Sequence, residues 1–432
     1  MIKIYNKLLK DENSVEVLSK GFSFLILKLI GTVFSFSFTL YITNVFGKEV
    51  WGLFALAMSI FTLTSILGAL GIDTHLVKFY SQEKNLDDVG IYFKSLIKAF
   101  VFSSVLSFIL YLLSEPMVNN MFKEPKPELL TYLYWVLPSI PFWSVIVLSS
   151  GVMRARKLNN YYGFYTIVSR FLILTSIVLL FSFTEIELVL KVFFYSLLFI
   201  SLVSIIHVTI ILKNVTIRTK ENSWKFLKQS IPMMLSSSIL VLMSWMDTFV
   251  MGIYEDESEV GIYNVAVKIT SLTVFSLQAL NSILAPKIAK AFASGKKEEY
   301  LNLISFTTKL NFFITLVVVF SIVLLNRFLL GLFGEGFESG FIVLLILCVG
   351  QLINSMSGSV GVIMQMIGEQ NKHQTFIIIS LVINLVLTLI LTPIYGGVGA
   401  AIATVASMIF WNVAGAVFLK INKNIVTYFK PF

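Results

Sequence analysis

Apolar residues run in twelve long stretches from residue 21 to residue 419, separated by short segments that carry most of the charge. The stretches fall at about 21–44, 51–72, 91–113, 129–150, 161–182 and 189–212. Six more follow at about 228–253, 259–285, 304–326, 339–366, 374–394 and 397–419. Each is close to the roughly 20 apolar residues that a helix needs to cross a hydrocarbon core at about 1.5 Å per residue. Barrel strands would be about ten residues long and alternate in and out. The runs at 312–325 and 341–349 show no alternation. The pattern predicts an all-α integral membrane protein with about 12 transmembrane helices. The first stretch does not read as a cleavable signal. It follows twenty fairly polar residues, exceeds the usual apolar core of a signal peptide and lacks an A-x-A-like exit.

Composition agrees and narrows the class. Of 432 residues, 57% are hydrophobic and 13% charged, against about 25% charged in a soluble domain. There is too little polar surface to coat a globule. With an inside N-terminus, twenty-two Lys and Arg fall in segments on one side, from Lys3, Lys7, Lys10 and Lys20 through Lys78 and Lys84 to Lys430. Only Lys48, Lys123, Lys126, Lys191 and Arg327 fall on the other. This asymmetry predicts that both termini are cytoplasmic. The net charge of +9 is then explained by the anionic leaflet, with no nucleic acid as partner. The single cysteine, Cys348, lies in the tenth stretch and reads as a small core hydrophobe.

The basic segment KNVTIRTKENSWKFLK at 213–228 divides the chain into a lobe at 1–212 and a lobe at 229–432, six stretches each. Six per half makes both halves enter the membrane in the same sense, so a repeat should be parallel, about an axis along the membrane normal. Gly52-Leu-Phe-Ala-Leu-Ala57 and Gly261-Ile-Tyr-Asn-Val-Ala266 match at an offset of about 209, as do Lys78 and Lys287. Gly151, Asn160 and Ser169 match Gly361, Asn371 and Ser380 at an offset of about 210.

The stretch FGKEVWGLFALAMSI at 46–60, followed by GALGIDTHLVKFYS at 68–81, resembles the opening signature of the polysaccharide flippases. These belong to the multidrug/oligosaccharidyl-lipid/polysaccharide exporter superfamily and are MATE-like. WMDTFVMG at 245–252 with EVGIYNVAVKI at 259–269 is similar to the superfamily's span 7–8 signature, and YGGVGAAIAT at 395–404 to its approach to span 12. The resemblance implies two six-helix lobes forming a V around a central cavity that opens alternately to either side. It implies a flippase, not an enzyme, in a bacterial cytoplasmic (inner) membrane. Its cargo would be undecaprenyl-diphosphate-linked oligosaccharide for O-antigen, capsule or exopolysaccharide, and its neighbours membrane lipids and polysaccharide polymerase machinery.

Charges inside the stretches suggest where the cargo is held. Lys28, Arg170 and Lys268 sit deep, where a charge costs about 2.5–3.5 kcal/mol on insertion scales and usually faces a bundle interior or water. Cations there would offset the desolvation of a diphosphate, and Arg suits bidentate phosphate contact. Arg170 and Lys28 are therefore candidates for a cationic surface in the N-lobe, with Lys268 a third. The plainer alternative is that Lys28 snorkels and Arg170 bonds to backbone carbonyls. Asp247, the one clear deep acid, lies at a depth similar to Lys268 on the next stretch. The two suit either a structural ion pair or coupling to H+ or Na+. Amides at Asn264, Gln278, Asn281, Gln351, Asn354, Gln365, Asn384 and Asn412 suit helix–helix hydrogen bonds or sugar hydroxyls. Pro138 and Pro141 predict a kink in the fourth stretch. The aromatic excess reads mostly as lipid-facing bulk.

No catalytic group and no metal site is predicted: His75, His207 and His373 lack metal-binding spacing, and no P-loop is present. A membrane glycosyltransferase or polymerase would need a large loop that this chain lacks. The competing function is ion-coupled multidrug export. That would favour acidic cavity residues over the three cations found.

Overall fold

The computed structural model of the chain describes residues 12–82, 85, 88–213 and 215–429. Of the basic residues used for sidedness, Lys3, Lys7, Lys10, Lys84, Lys430 and the Lys20 side chain lie outside that description.

Helices follow the apolar stretches closely. The helical run Glu12–Ala69 is broken at Gly47 (φ 89°, ψ 178°) into α1 (12–46) and α2 (48–69). A positive φ costs glycine nothing, so one residue turns the chain between two spans. After α2 come α3 (Ile72–Tyr80), α4 (Val89–Leu112), α5 (Ser114–Asn120), α6 (Leu129–Ala155), α7 (Asn159–Phe181) and α8 (Ile186–Leu212). Then come α9 (Ser223–Tyr254), α10 (Glu257–Ala293), α11 (Lys297–Leu324), α12 (Asn326–Gly331) and α13 (Phe337–Met366). Gly396 (φ 56°, ψ −136°) divides the last run, Gln370–Lys423, into α14 (370–395) and α15 (397–423). Among the described residues twelve helices are thus long enough to span. α9 is bent by 59° between its two halves.

The prolines of α6 tighten the span without ending it. Pro138 lies in a 3₁₀ turn, Leu137–Ser139, and Pro141 opens the next α-helical turn. Pro141 has no N–H for the Leu137 carbonyl four residues back. The Ile140 N–H of the 3₁₀ turn and the Ser107 hydroxyl of α4, the latter at 2.7 Å, donate to that carbonyl instead. The tightened turn and a neighbouring helix together satisfy the carbonyl in a medium without water.

By packing, the chain divides into Leu27–Gly261 and a unit centred on Ile262–Phe432. The basic segment at 213–228 is partly helical: Asn222 caps α9 by accepting from the amides of Trp224 and Lys225. Just before it, Thr219 donates to the Asp88 carboxylate at the head of α4.

Within the first unit the proposed repeat appears as a reciprocal contact. A Cβ on Gly52 would lie 1.8 Å from the Glu257 carbonyl oxygen, and one on Gly261 would lie 2.3 Å from that of Lys48. Ser258 donates to Glu49 at 3.3 Å. Residues 48, 49 and 52 and their counterparts 257, 258 and 261 share one offset, so the starts of α2 and α10 cross as a local twofold pair. The same unit buries an aromatic core of Phe38, Trp51, Phe54, Phe61 and Phe193, with Phe38 and Phe54 centroids 5.3 Å apart. Part of the aromatic excess is therefore core, while residues such as Phe108 and Phe199 are exposed. In the second unit Leu284, Ile288, Ile304, Val360, Ile363 and Leu419 belong to one buried apolar cluster.

Candidate functional site

The site grows from the contact of α1 with α7. A Cβ on Gly31 would lie 2.8 Å from the Ile167 side chain and 2.9 Å from its carbonyl oxygen, so the glycine lets two backbones touch. Further along, Phe38 meets Phe171 at 6.2 Å. Thr175 donates to the Phe34 carbonyl, and Tyr41 donates to that of Phe183. From Gly31–Ile167 to Tyr41–Phe183 the two partners advance in the same direction, so α1 and α7 run parallel, as first and fifth spans must.

Ile167 belongs to a π-helical turn, Phe164–Val168, inside α7. Such turns insert one residue, which rotates the rest of the helix by roughly 100°. Arg170 is the second residue after it. Its guanidinium carbon stands 5.0 Å from the Trp143 ring of α6 and 4.6 Å from that of Phe171. Arg170 is half-buried. Among the described residues no carboxylate pairs with its guanidinium and no backbone carbonyl accepts from it. Two aromatic faces stabilise the cation, by about 2 kcal/mol or more each where desolvated, and leave its in-plane donors unused. That geometry presents a planar donor fork to an anion.

Lys28 is half-buried on α1, one turn before Gly31, and Thr32 donates to its carbonyl at 2.9 Å. Counting three residues back from Gly31 and three on from Ile167 puts Lys28 and Arg170 roughly 9 Å apart along parallel helices. Asp247 is 3% exposed in α9 of the first unit. Lys268 is half-buried in α10 of the second.

The second unit carries neutral polar groups. Asn412 of α15 donates to Asn354 of α13 at 3.0 Å, and Asn354 donates to Gln351 at 3.3 Å. Ser276 of α10 donates to Asn311 of α11 at 3.0 Å. The amide of Asn384 in α14 is 1% exposed, and neither its nitrogen nor its oxygen has a partner among the described residues.

Sequence reasoning singled out Arg170 but not Trp143, nor the π turn that orients the arginine. Gly31 and Gly163 beside the turn are the only hints that a string of letters offers.

The spanning helices define a multi-pass membrane protein. The fold matches an inward-facing multidrug resistance MATE family transporter of the MOP superfamily, with TM-score 0.75 and 16% identity over 93% of this chain and 98% of that one. It also matches the lipid II flippase MurJ in an inward closed conformation, with TM-score 0.76 and 16% identity over 93% of this chain and 87% of that one. The chain belongs to the polysaccharide biosynthesis protein family, which matches residues 17–292, and the MatE family matches residues 232–390. It is thus a polysaccharide-flippase-type member of the MOP superfamily. A probable low-salt glycan biosynthesis flippase of Haloferax volcanii, Agl15, is 26% identical over 165 residues. That match covers 38% of this chain and about a third (35%) of the relative's length.

Proposed function

We propose that the chain moves undecaprenyl-diphosphate-linked oligosaccharide repeat units from the cytoplasmic to the outer face of a bacterial cytoplasmic membrane. It does so by alternating access, driven by H+ or Na+, and supplies O-antigen, capsule or exopolysaccharide synthesis. The observation that carries this reading is Arg170, an intramembrane cation held on two aromatic faces with no acidic partner among the described residues. A diphosphate crossing a low-dielectric barrier needs such a group, with Lys28 as its neighbour and Lys268 as a third contact; an organic cation would be repelled by it. Asp247 is the candidate for ion coupling. The family match and the glycan-flippase relative support the same cargo class.

Deletion of the gene in its native strain tests this directly. Surface polysaccharide should disappear and lipid-linked repeat units should accumulate on the cytoplasmic face. The wild-type gene should rescue the strain; an equally expressed Arg170→Gln variant should not. Unchanged polysaccharide with new sensitivity to cationic dyes would establish multidrug export instead.

A further inference from the structure

A second basic cluster lies outside the spans, where α3 packs on the first half of α9. Leu70 and Gly71, at φ 53° and 66°, turn the chain from α2 into α3. Ser230 donates to the Leu70 carbonyl at 2.8 Å, and a Cβ on Gly71 would lie 2.5 Å from the Met234 nitrogen. In the next turn of α3, the His75 ring stacks on Phe226 at 3.9 Å, 16° from parallel. Its Nδ1 donates to the Phe226 carbonyl at 3.0 Å. A carbonyl only accepts, so this bond assigns the proton to Nδ1 and leaves Nε2 for other partners.

Around this rigid contact opens a cavity of about 680 Å³, lined by His75 and Lys78 of α3 and by Lys225, Lys228, Gln229 and Met233 of α9. His75 with Lys78, and Lys225 with Lys228, are i,i+3 pairs, so each helix turns two basic groups to the same side. Among the described residues no carboxylate lines the cavity. Among the described residues none of the three lysines has an ion-pair partner. Gathering like charges costs free energy unless something negative joins them. The volume lies in the range of small-ligand pockets, about 300–1,000 Å³. All three lysines belong to the side assigned to the cytoplasm, where basic pockets between helices take lipid headgroups.

We propose that this cavity binds a phosphate group on a lipid of the cytoplasmic leaflet, distinct from the intramembrane cations at Arg170 and Lys28. As a docking point for cargo diphosphate it rests on the flippase reading; as a phosphate site it does not.

The test uses the full chain in phosphatidylcholine nanodiscs, with native mass spectrometry reading bound geranylgeranyl diphosphate or phosphatidylglycerol. Wild type should retain the diphosphate lipid, and inorganic pyrophosphate should compete it off. The Lys78→Gln/Lys225→Gln/Lys228→Gln variant should bind at least tenfold more weakly. A Lys290→Gln/Lys296→Gln/Lys297→Gln variant, with equal charge removed elsewhere, should bind as wild type. Stronger retention of the diphosphate lipid identifies cargo as the source, and equal retention of phosphatidylglycerol identifies bulk lipid; both support the site. Wild-type binding in the first variant, or equal loss in the second, overturns it. If the triple variant unfolds, Lys228→Gln alone should weaken binding about threefold. Retention of phosphatidylglycerol does not depend on the cargo, and it should fall in the Lys78→Gln/Lys225→Gln/Lys228→Gln variant whatever happens to surface polymer, so failure of the flippase reading and failure of this site would be told apart.

Discussion

The two packing units place different chemistry at membrane depth. The first, Leu27–Gly261, holds Arg170 and Lys28, and Arg170 rests on the Trp143 and Phe171 rings. The second, centred on Ile262–Phe432, has Lys268 but is dominated by neutral amides: the Gln351–Asn354–Asn412 chain, the Ser276–Asn311 pair and the buried Asn384. A charged headgroup needs fixed cations, because the desolvation of its charge is the larger cost. Sugar hydroxyls need matched donors and acceptors, each of modest strength. Under the proposed function, the cations of the first unit suit the diphosphate end of the cargo and the amides of the second suit its sugar end.

The largest effect that tests this contrast is on transport. Arg170→Glu should abolish surface polymer, a fall of at least a hundredfold, because it places an anion where the proposed function puts the cargo diphosphate. Arg170→Lys should restore a part. Asn354→Leu and Asn412→Leu should each lower flux only a few-fold, and unequally for repeat units that differ in sugar. Polymer yield at matched expression measures both, and equal losses in the two units would erase the contrast.

Glycines sharpen it next. Gly52→Ala puts a methyl 1.8 Å from the Glu257 backbone oxygen, whereas Gly415→Ala meets the Val360 side-chain methyl at 2.4 Å. A side chain can rotate aside and a helix backbone cannot, so Gly52→Ala should cost about 3 kcal/mol or more and Gly415→Ala about 1. Thermal unfolding in detergent orders the two, and the reverse order would mean that the α2–α10 crossing is not tight.

Legibility in the chain divides in the same way, between pattern and contact. Span positions could be read because each span carries its own hydrophobic record, and the ends of α6, α8 and α13 fall within a few residues of the predicted ones. The turns at Gly47 and Gly396 are so short that two span pairs run on as single helical stretches. Repeat letters at 52 and 261 pointed to a relation, but only geometry shows that the related residues touch each other. Arg170 could be found because a deep charge is rare. Its surroundings could not, because a π turn has no letter code and Trp143 is distant in sequence. The α3–α9 cavity was invisible for the same reason: Lys78 and Lys225 lie far apart along the chain.

Ion pairs give a smaller test. Lys126 is 4% exposed and bonds both to Glu257 and to the Glu255 carbonyl, at 3.0 Å each. Lys423 and Glu369 in the second unit are 34% and 23% exposed. Glu257→Gln leaves a buried ammonium with only neutral acceptors and should destabilise by about 2 kcal/mol. Lys126→Met should cost less, since the freed Glu257, 27% exposed, still reaches water. Glu369→Gln should cost under about 1 kcal/mol, as surface pairs do. Unfolding midpoints that fall in any other order would show that the first unit's outer turn is not held by this pair.

The smallest effect is on pH dependence, and it separates packing from charge at α3. Burial, and then the nearby Lys78 cation, hold the His75 imidazole below its ordinary range, while the bond to the Phe226 carbonyl acts the other way. The folded protein thus binds this proton less readily than the unfolded chain, so stability rises with pH across the interval between the two pKa values. The contribution is complete above about pH 6.5, the ordinary histidine value. It should fade as pH drops through the lower, folded one. Between pH 7.5 and 5.5, wild type should lose more of its unfolding temperature than His75→Gln, by one or two degrees. A phosphate ligand in the cavity should shrink that difference, since an anion beside the ring favours the imidazolium and draws the folded pKa back up. Equal slopes with and without His75 would mean that the ring titrates as freely in the fold as outside it.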